Sequence, residues 1–324
     1  MSIHPYVKTT DMLNKNILVN DSFHSGGLKL LESKGFSLFK GSYEGEELVR
    51  FINENNIGIL LVRSATKVNR KVIEACATLK YVGRGGVGMD NVDEVACKEK
   101  GIIAFNTPGG STTAVAEMVF AHLLSMYRFV SPSNQIIKDD ISKVKFLKKE
   151  FSSGHELKGK TIGVWGTGRI GSEAARLALS FGMNVLAYHP TKADMSVEFE
   201  IRGKKIEVMI PLSSLDEFLQ NSDIISLHIP HHDKPVITAD VITKMKDGVV
   251  FINTSRSSNV DEEALLGAIE SGKIGKAGLD VFSSKLKAEL LKHPNVSVTP
   301  HLGASTVEGQ EKISMELARK ILEF

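Results

Sequence analysis

Two α/β domains, each a doubly wound parallel sheet, are predicted by three observations. Short β-branched runs alternate with helix-length intervals up to residue 110, a second such series starts at residue 161, and a lysine-rich polar stretch separates the two. The 324 residues exceed one comfortable core.

The first series reads ILVN at 17–20, IGILLV at 57–62, YVG at 81–83 and IIAFN at 102–106. Residues 112–128, TTAVAEMVFAHLLSMYR, hold no Gly or Pro and predict one long, largely buried helix. From about 131 to 158 the chain is polar and weakly periodic, which predicts a surface segment leading into the second domain. The second series reads TIGVWG at 161–166, NVLAYH at 184–189, DIISLHI at 223–229, VVFINT at 249–254, AGLDVF at 277–282 and VSVTP at 296–300. Helix-length intervals separate these runs, the pattern of a nucleotide-binding sheet. The last stretch, GQEKISMELARKILEF, predicts a helix able to pack back on the first domain.

Composition narrows the class further. The formal net charge is +2 and the basic residues are scattered, so an extended nucleic-acid-binding face is not expected. No apolar run approaches the ~20 residues that cross a bilayer, and the start MSIHPYVKTTDM lacks the apolar core of a secretion signal. A cytoplasmic protein without membrane attachment is expected. Cys76 and Cys97 lie outside any CxxC or Cys/His cluster, which predicts buried structural thiols and no metal.

Gly166, Gly168 and Gly171 form GxGxxG directly after the run IGVW and at the opening of the helix SEAARLALSFG. The chain must turn sharply there, a pyrophosphate must approach bare backbone, and the helix N-terminus offers unpaired N–H groups to the anion. With strand, helix and following strand in order, this predicts a dinucleotide site. At the end of the second strand, where a carboxylate usually accepts the ribose hydroxyls of NAD, stands His189. NAD is the expected cofactor. NADP stays open, because His189, Thr191 and Lys192 are able to hold a 2′-phosphate.

Beyond the generic pattern, GxGxxG followed by SDIISLHIP (222–230), INTSR (252–256), GLDVF (278–282) and TPHLGAST (299–306) resembles the D-2-hydroxyacid dehydrogenase family over nearly the entire chain. Within it, VRSATKV (62–68), GRGGVGMDNVD (83–93) and NTPGG (106–110) are similar to the 3-phosphoglycerate dehydrogenase branch. The resemblance implies a flavodoxin-like substrate domain over 1–110 and 308–324, and a Rossmann cofactor domain with linking helices over 111–307. It also implies a cleft between them, a homodimer built on the cofactor domains, and a short form without a separate serine-sensing module.

The resemblance further assigns site residues. Arg256 matches the arginine that binds the substrate carboxylate, and only a guanidinium offers a rigid two-pronged donor. His301 matches the acid/base histidine. The family's glutamate after the DVF segment is replaced here, with Lys285 about where it would stand. Three readings follow: Lys285 exchanges the proton itself, Glu289 reaches the histidine in place of the missing acid, or Lys285 is a surface residue in a remodelled loop. Asp280, Thr254, Ser255 and Gly303 fall at the nicotinamide end, His228 and Pro230 near the adenosine, and Arg169 and Ile170 over the pyrophosphate.

In the expected substrate domain Arg63, Ser64 and Lys67 cluster after IGILLV, two cations and a hydroxyl suited to a substrate phosphate. Gly85, Gly86 and Gly88 are expected to turn backbone N–H groups toward the substrate carboxylate. The leading reading is hydride transfer between NAD and C2 of 3-phosphoglycerate. A hydroxypyruvate or glyoxylate reductase, and a non-catalytic NAD-sensing protein similar to corepressors of this fold, are the alternatives.

Overall fold

The computed structural model describes residues 14–192, 194–284 and 286–324. They form two units, one running to Ser111 and completed by Val307–Phe324, the other Thr112–Thr306. These breaks lie one residue from the boundaries read in the sequence.

The first unit begins with β1 (Asn16–Val19), α1 (Ser25–Ser33), β2 (Ser37–Lys40), α2 (Gly45–Glu54) and β3 (Ile59–Val62). It continues with α3 (Arg70–Ala75), β4 (Tyr81–Arg84), α4 (Glu94–Glu99) and β5 (Ile103–Asn106). The five strands are parallel in the order β2-β1-β3-β4-β5. The run SLFK of β2, half exposed at the sheet edge, carries no clear alternation that would announce a strand.

The second unit opens with α5 (Thr112–Tyr127), α6 (Val130–Asp139) and α7 (Val144–Glu150). The expected long buried helix is α5. The expected polar surface segment, in contrast, is largely helical in α6 and α7. Periodicity does not announce α6, because it buries none of its side chains and so has no apolar stripe. Then come β6 (Thr161–Trp165), α8 (Arg169–Ser180), β7 (Asn184–Tyr188), β8 (Asp194–Ile201), β9 (Lys204–Pro211), α9 (Leu215–Asn221) and β10 (Ile224–Leu227). The unit ends with α10 (Ala239–Lys244), β11 (Val249–Asn253), α11 (Glu262–Glu270), β12 (Ile274–Leu279), α12 (Ala288–Lys292) and β13 (Val296–Val298).

Six of these strands form a parallel sheet in the order β13-β12-β11-β10-β6-β7. The interval after β7 departs from expectation. Ahead of α9 it holds the antiparallel hairpin β8–β9, turned by Arg202 and Gly203, both at positive φ. Met195, Val197 and Ile210 of the hairpin are buried against Val164, Ala175 and Ala187. Residues Val119, Leu123 and Met126 of α5 cover the sheet at Ile162, Ile224, Val250 and Ile252.

The last helix, α13 (Val307–Glu323), closes the first unit. Its stripe of Ile313, Leu317 and Ile321 is buried, and the latter two join Ile17, Val19, Ile59 and Leu61 in one core. No helix of the described residues is long and apolar enough to cross a membrane. Cys76 and Cys97 are buried free thiols, and burial pushes both up to about 11.

Candidate active site

Because all six strands of the larger sheet run in one direction, the residues that follow them leave from one edge. Gly166 follows β6, His189 β7, His228 β10, Thr254–Arg256 β11, Asp280 β12, and His301 comes three residues after β13. Arg256 and His301 follow strands two places apart, roughly 10 Å at the spacing of neighbouring strands, with Asp280 just past the strand between.

The glycine turn has the space that a dinucleotide needs. Gly166 sits at φ 103°, and a Cβ on it would lie 2.4 Å from the His228 carbonyl oxygen. A Cβ on Gly171 would lie 1.9 Å from the Gly166 oxygen, so helix α8 approaches the turn closely. A Cβ on Gly168 would meet nothing within 4 Å. Gly168 caps α8 without a side-chain hydrogen bond and the first turn carries no acid, leaving the N–H groups at Arg169 and Ile170 to an anion. The buried hydroxyls of Thr167, in the turn, and Thr254, after β11, have no protein hydrogen-bond partner. Buried polar atoms without partners are rare, and these two fit a bound dinucleotide as the missing one.

At the ribose end His189 Nδ1 accepts from the Thr191 backbone N–H at 3.2 Å, while Lys192 Nζ donates to the Thr167 carbonyl at 3.3 Å. Partial burial, and then Lys192, hold the His189 imidazole below its ordinary value. The His228 Nε2 is 2.9 Å from Ser226 Oγ, burial pushes the ring down to about 4, and the His228 carbonyl borders the glycine turn.

After β11, Asn253 holds the turn that presents Arg256. Its Oδ1 accepts from the N–H and hydroxyl of Ser255, and its Nδ2 donates to the Arg256 carbonyl. Ser255 is thus bonded within the turn. The half-buried Arg256 side chain donates to the Ser255 carbonyl at 2.7 Å. Asn259 anchors the facing loop by donating to the carbonyl of Pro230 at 2.9 Å.

His301 is exposed and stands at φ 58°, a conformation that costs an L residue roughly 1–2 kcal/mol. Asp280 compensates. It is 1% exposed, its Oδ1 accepts from Thr299 Oγ at 2.6 Å and Leu302 N at 2.7 Å, and its Oδ2 accepts from Gly303 N at 2.8 Å. Its carbonyl takes the His301 N–H at 3.0 Å. Asp280 and Gly303, read from the sequence as cofactor contacts, are therefore bonded to each other in the turn that carries the histidine.

Lys285 lies outside the described residues. Glu289 is exposed in the first turn of α12, and no contact with His301 is observed for it. Glu262 accepts from both the N–H and the hydroxyl of Ser283, tying down the segment after β12.

In the first unit Ser64 and Lys67 are exposed beside the partly buried Arg63. Burial draws the Arg63 guanidinium below its usual range, and Asp21 opposes this. The sequence reading missed Asp21, which accepts from the Arg63 backbone N–H and from Thr66 Oγ1. Gly85 and Gly86 correct an expectation. Their N–H groups are spent within the unit, on the Val62 carbonyl at 2.8 Å and Thr107 Oγ1 at 2.7 Å, because the chain there continues the β3–β4–β5 ladder.

Comparison with known proteins agrees with this arrangement. Residues 120–303 match the NAD binding domain of the D-isomer specific 2-hydroxyacid dehydrogenases. The chain is 39% identical to a hydroxypyruvate reductase of Thermotoga maritima, covering 96% of this chain and 98% of that one. It is 37% identical to a D-3-phosphoglycerate dehydrogenase of Synechocystis sp. over 94% of this chain, but spans only 53% of that protein. Among solved structures, D-lactate dehydrogenase from Aquifex aeolicus, complexed with NAD and lactic acid, superposes with a TM-score of 0.77 at 29% identity, covering 95% of both chains.

Proposed function

This chain belongs to the D-isomer specific 2-hydroxyacid dehydrogenase family, and from that premise we propose that it transfers hydride between NAD and C2 of 3-phosphoglycerate or its keto acid, 3-phosphohydroxypyruvate. NAD, when bound at the glycine turn, accepts or supplies the hydride. The chain's own residues do the rest. Arg256 holds the substrate carboxylate through its planar fork. His301 takes the hydroxyl proton on oxidation and returns it to the carbonyl oxygen on reduction. Thr254 and Thr167 offer their hydroxyls to the cofactor.

The observation that supports a phosphorylated substrate is the Arg63, Ser64 and Lys67 loop after β3, which holds two cations and a hydroxyl that an unphosphorylated acid does not need. Asp21 beside Arg63 favours the second reading, a hydroxypyruvate reductase, because a carboxylate there weakens the pull on a phosphate dianion.

Following cofactor oxidation with phosphohydroxypyruvate and hydroxypyruvate side by side separates them. On the first reading Arg63→Ala lowers kcat/KM for the phosphorylated keto acid about a hundredfold, the worth of a charge-assisted contact, and leaves hydroxypyruvate nearly unchanged. Equal use of both keto acids, unaffected by the substitution, establishes the second.

Exposed Ile141 and Phe146 on the α6–α7 segment support a second copy of the chain as partner. Sedimentation of the purified protein as a monomer would remove that part of the proposal.

A further inference from the structure

His122 is a polar ring in an apolar helix. It lies on α5 among Val119, Phe120 and Leu123 and is 2% exposed. A buried imidazole is costly there unless both nitrogens are bonded. Both are, since Nδ1 is 2.8 Å from Ser297 Oγ and Nε2 is 3.1 Å from Thr299 Oγ1. Ser297 and Thr299 are two residues apart, so an extended chain presents both to the same face.

The direction of each bond follows from the end of the chain. An ionised carboxylate only accepts, so the Thr299 hydroxyl, 2.6 Å from Asp280 Oδ1, donates to it. The Thr299 oxygen is left as an acceptor, and His122 must donate to it from Nε2–H. In a neutral ring Nδ1 is then unprotonated and accepts from the Ser297 hydroxyl. Burial lowers the His122 pKa and Asp280 only partly opposes this, which agrees with a neutral ring.

We propose that His122 is a positioning residue for the acid/base histidine: as the Nε2–H tautomer it orients the Thr299 hydroxyl, which completes the bonding of the Asp280 carboxylate that holds the 301–303 turn. His301 at positive φ persists only while that turn is over-determined. Without the His122 donor, the Thr299 hydroxyl is free to rotate off Asp280, and the buried carboxylate loses one of the three bonds seen here. The reading rests on His301 acting as acid and base.

Two measurements test it. Nitrogen–proton correlation spectra of the labelled wild-type protein at neutral pH are expected to show His122 protonated at Nε2 alone; an Nδ1–H ring or an imidazolium overturns the proposal without any variant. In steady-state kinetics, His122→Leu is expected to lower kcat by about tenfold to a hundredfold, the scale of a misplaced catalytic group, with the KM for NADH little changed. His122→Gln keeps a donor toward Thr299 and is expected to recover most of the loss.

If the two variants lose kcat equally, or if His122→Leu melts earlier yet turns over normally, the ring is structural only and the proposal is wrong. His301→Asn, assayed in parallel, separates the two ideas. Turnover that survives it overturns the acid/base reading and the positioning role together, whereas turnover lost there but kept in His122→Leu overturns the positioning role alone.

Discussion

The Asp280 carboxylate accepts the Gly303 backbone N–H at 2.8 Å, so the end of one buried strand fixes the turn that carries His301 on the next. The contact is tight, since a Cβ on Gly303 would lie 2.8 Å from the same oxygen. Histidine in a left-handed conformation is held there by the acceptors of one acid rather than by its own preference.

Asp280→Asn sets an amide nitrogen against N–H donors from the backbone or the Thr299 hydroxyl. A stability loss of about 1–3 kcal/mol is expected from the unmade bonds, with a fall in kcat on top of it. Thermal melts and steady-state rates read the two effects. Unchanged kcat in a destabilised variant would mean that the turn is held by other contacts.

Arg256→Lys replaces a two-pronged donor with a point charge while keeping the sign. It is expected to raise the KM for the keto acid about tenfold or more while NADH binding, followed by fluorescence titration, stays near wild type. A change confined to NADH affinity would place Arg256 against the cofactor instead.

Lys192 reaches back to the Thr167 carbonyl in the glycine turn, and the neighbouring His189 imidazole is held below its ordinary value. Lys192 is therefore the charge that meets a 2′-phosphate, and Lys192→Glu is expected to lower kcat/KM for NADPH relative to NADH by about tenfold. An unaltered ratio would exclude Lys192 from cofactor discrimination.

His228 gives a pH signature. Its folded pKa is depressed to about 4 by burial, against an ordinary value of ~6.5 in the unfolded chain. Below about pH 6.5 the unfolded state binds a proton that the folded state refuses, so stability falls as pH drops from there to about 4, by up to ~3 kcal/mol. His228→Gln removes this component, and urea melts of both proteins across that range are expected to show a shallower slope for the variant. Parallel slopes would show that the ring takes up its proton when folded.

The sequence by itself determined the two sheets, the long helix α5, and the strand, glycine turn and helix that receive a dinucleotide. Those features depend on residues near one another in the chain, where burial imposes a period and glycine answers a local crowding. The hairpin β8–β9 is legible too: Met195, Val197 and Phe199 alternate with Ser196, Glu198 and Glu200, although the interval has the length of a helix. Tertiary structure decided the hydrogen bonds. His122 meets Ser297 and Thr299 across more than 170 residues of chain, Asp21 reaches the Arg63 loop, and the Gly85 and Gly86 N–H groups are consumed by their own sheet. A hydrogen bond depends on direction and on distances of about 3 Å, and no residue type announces which distant partner the fold will bring within that reach.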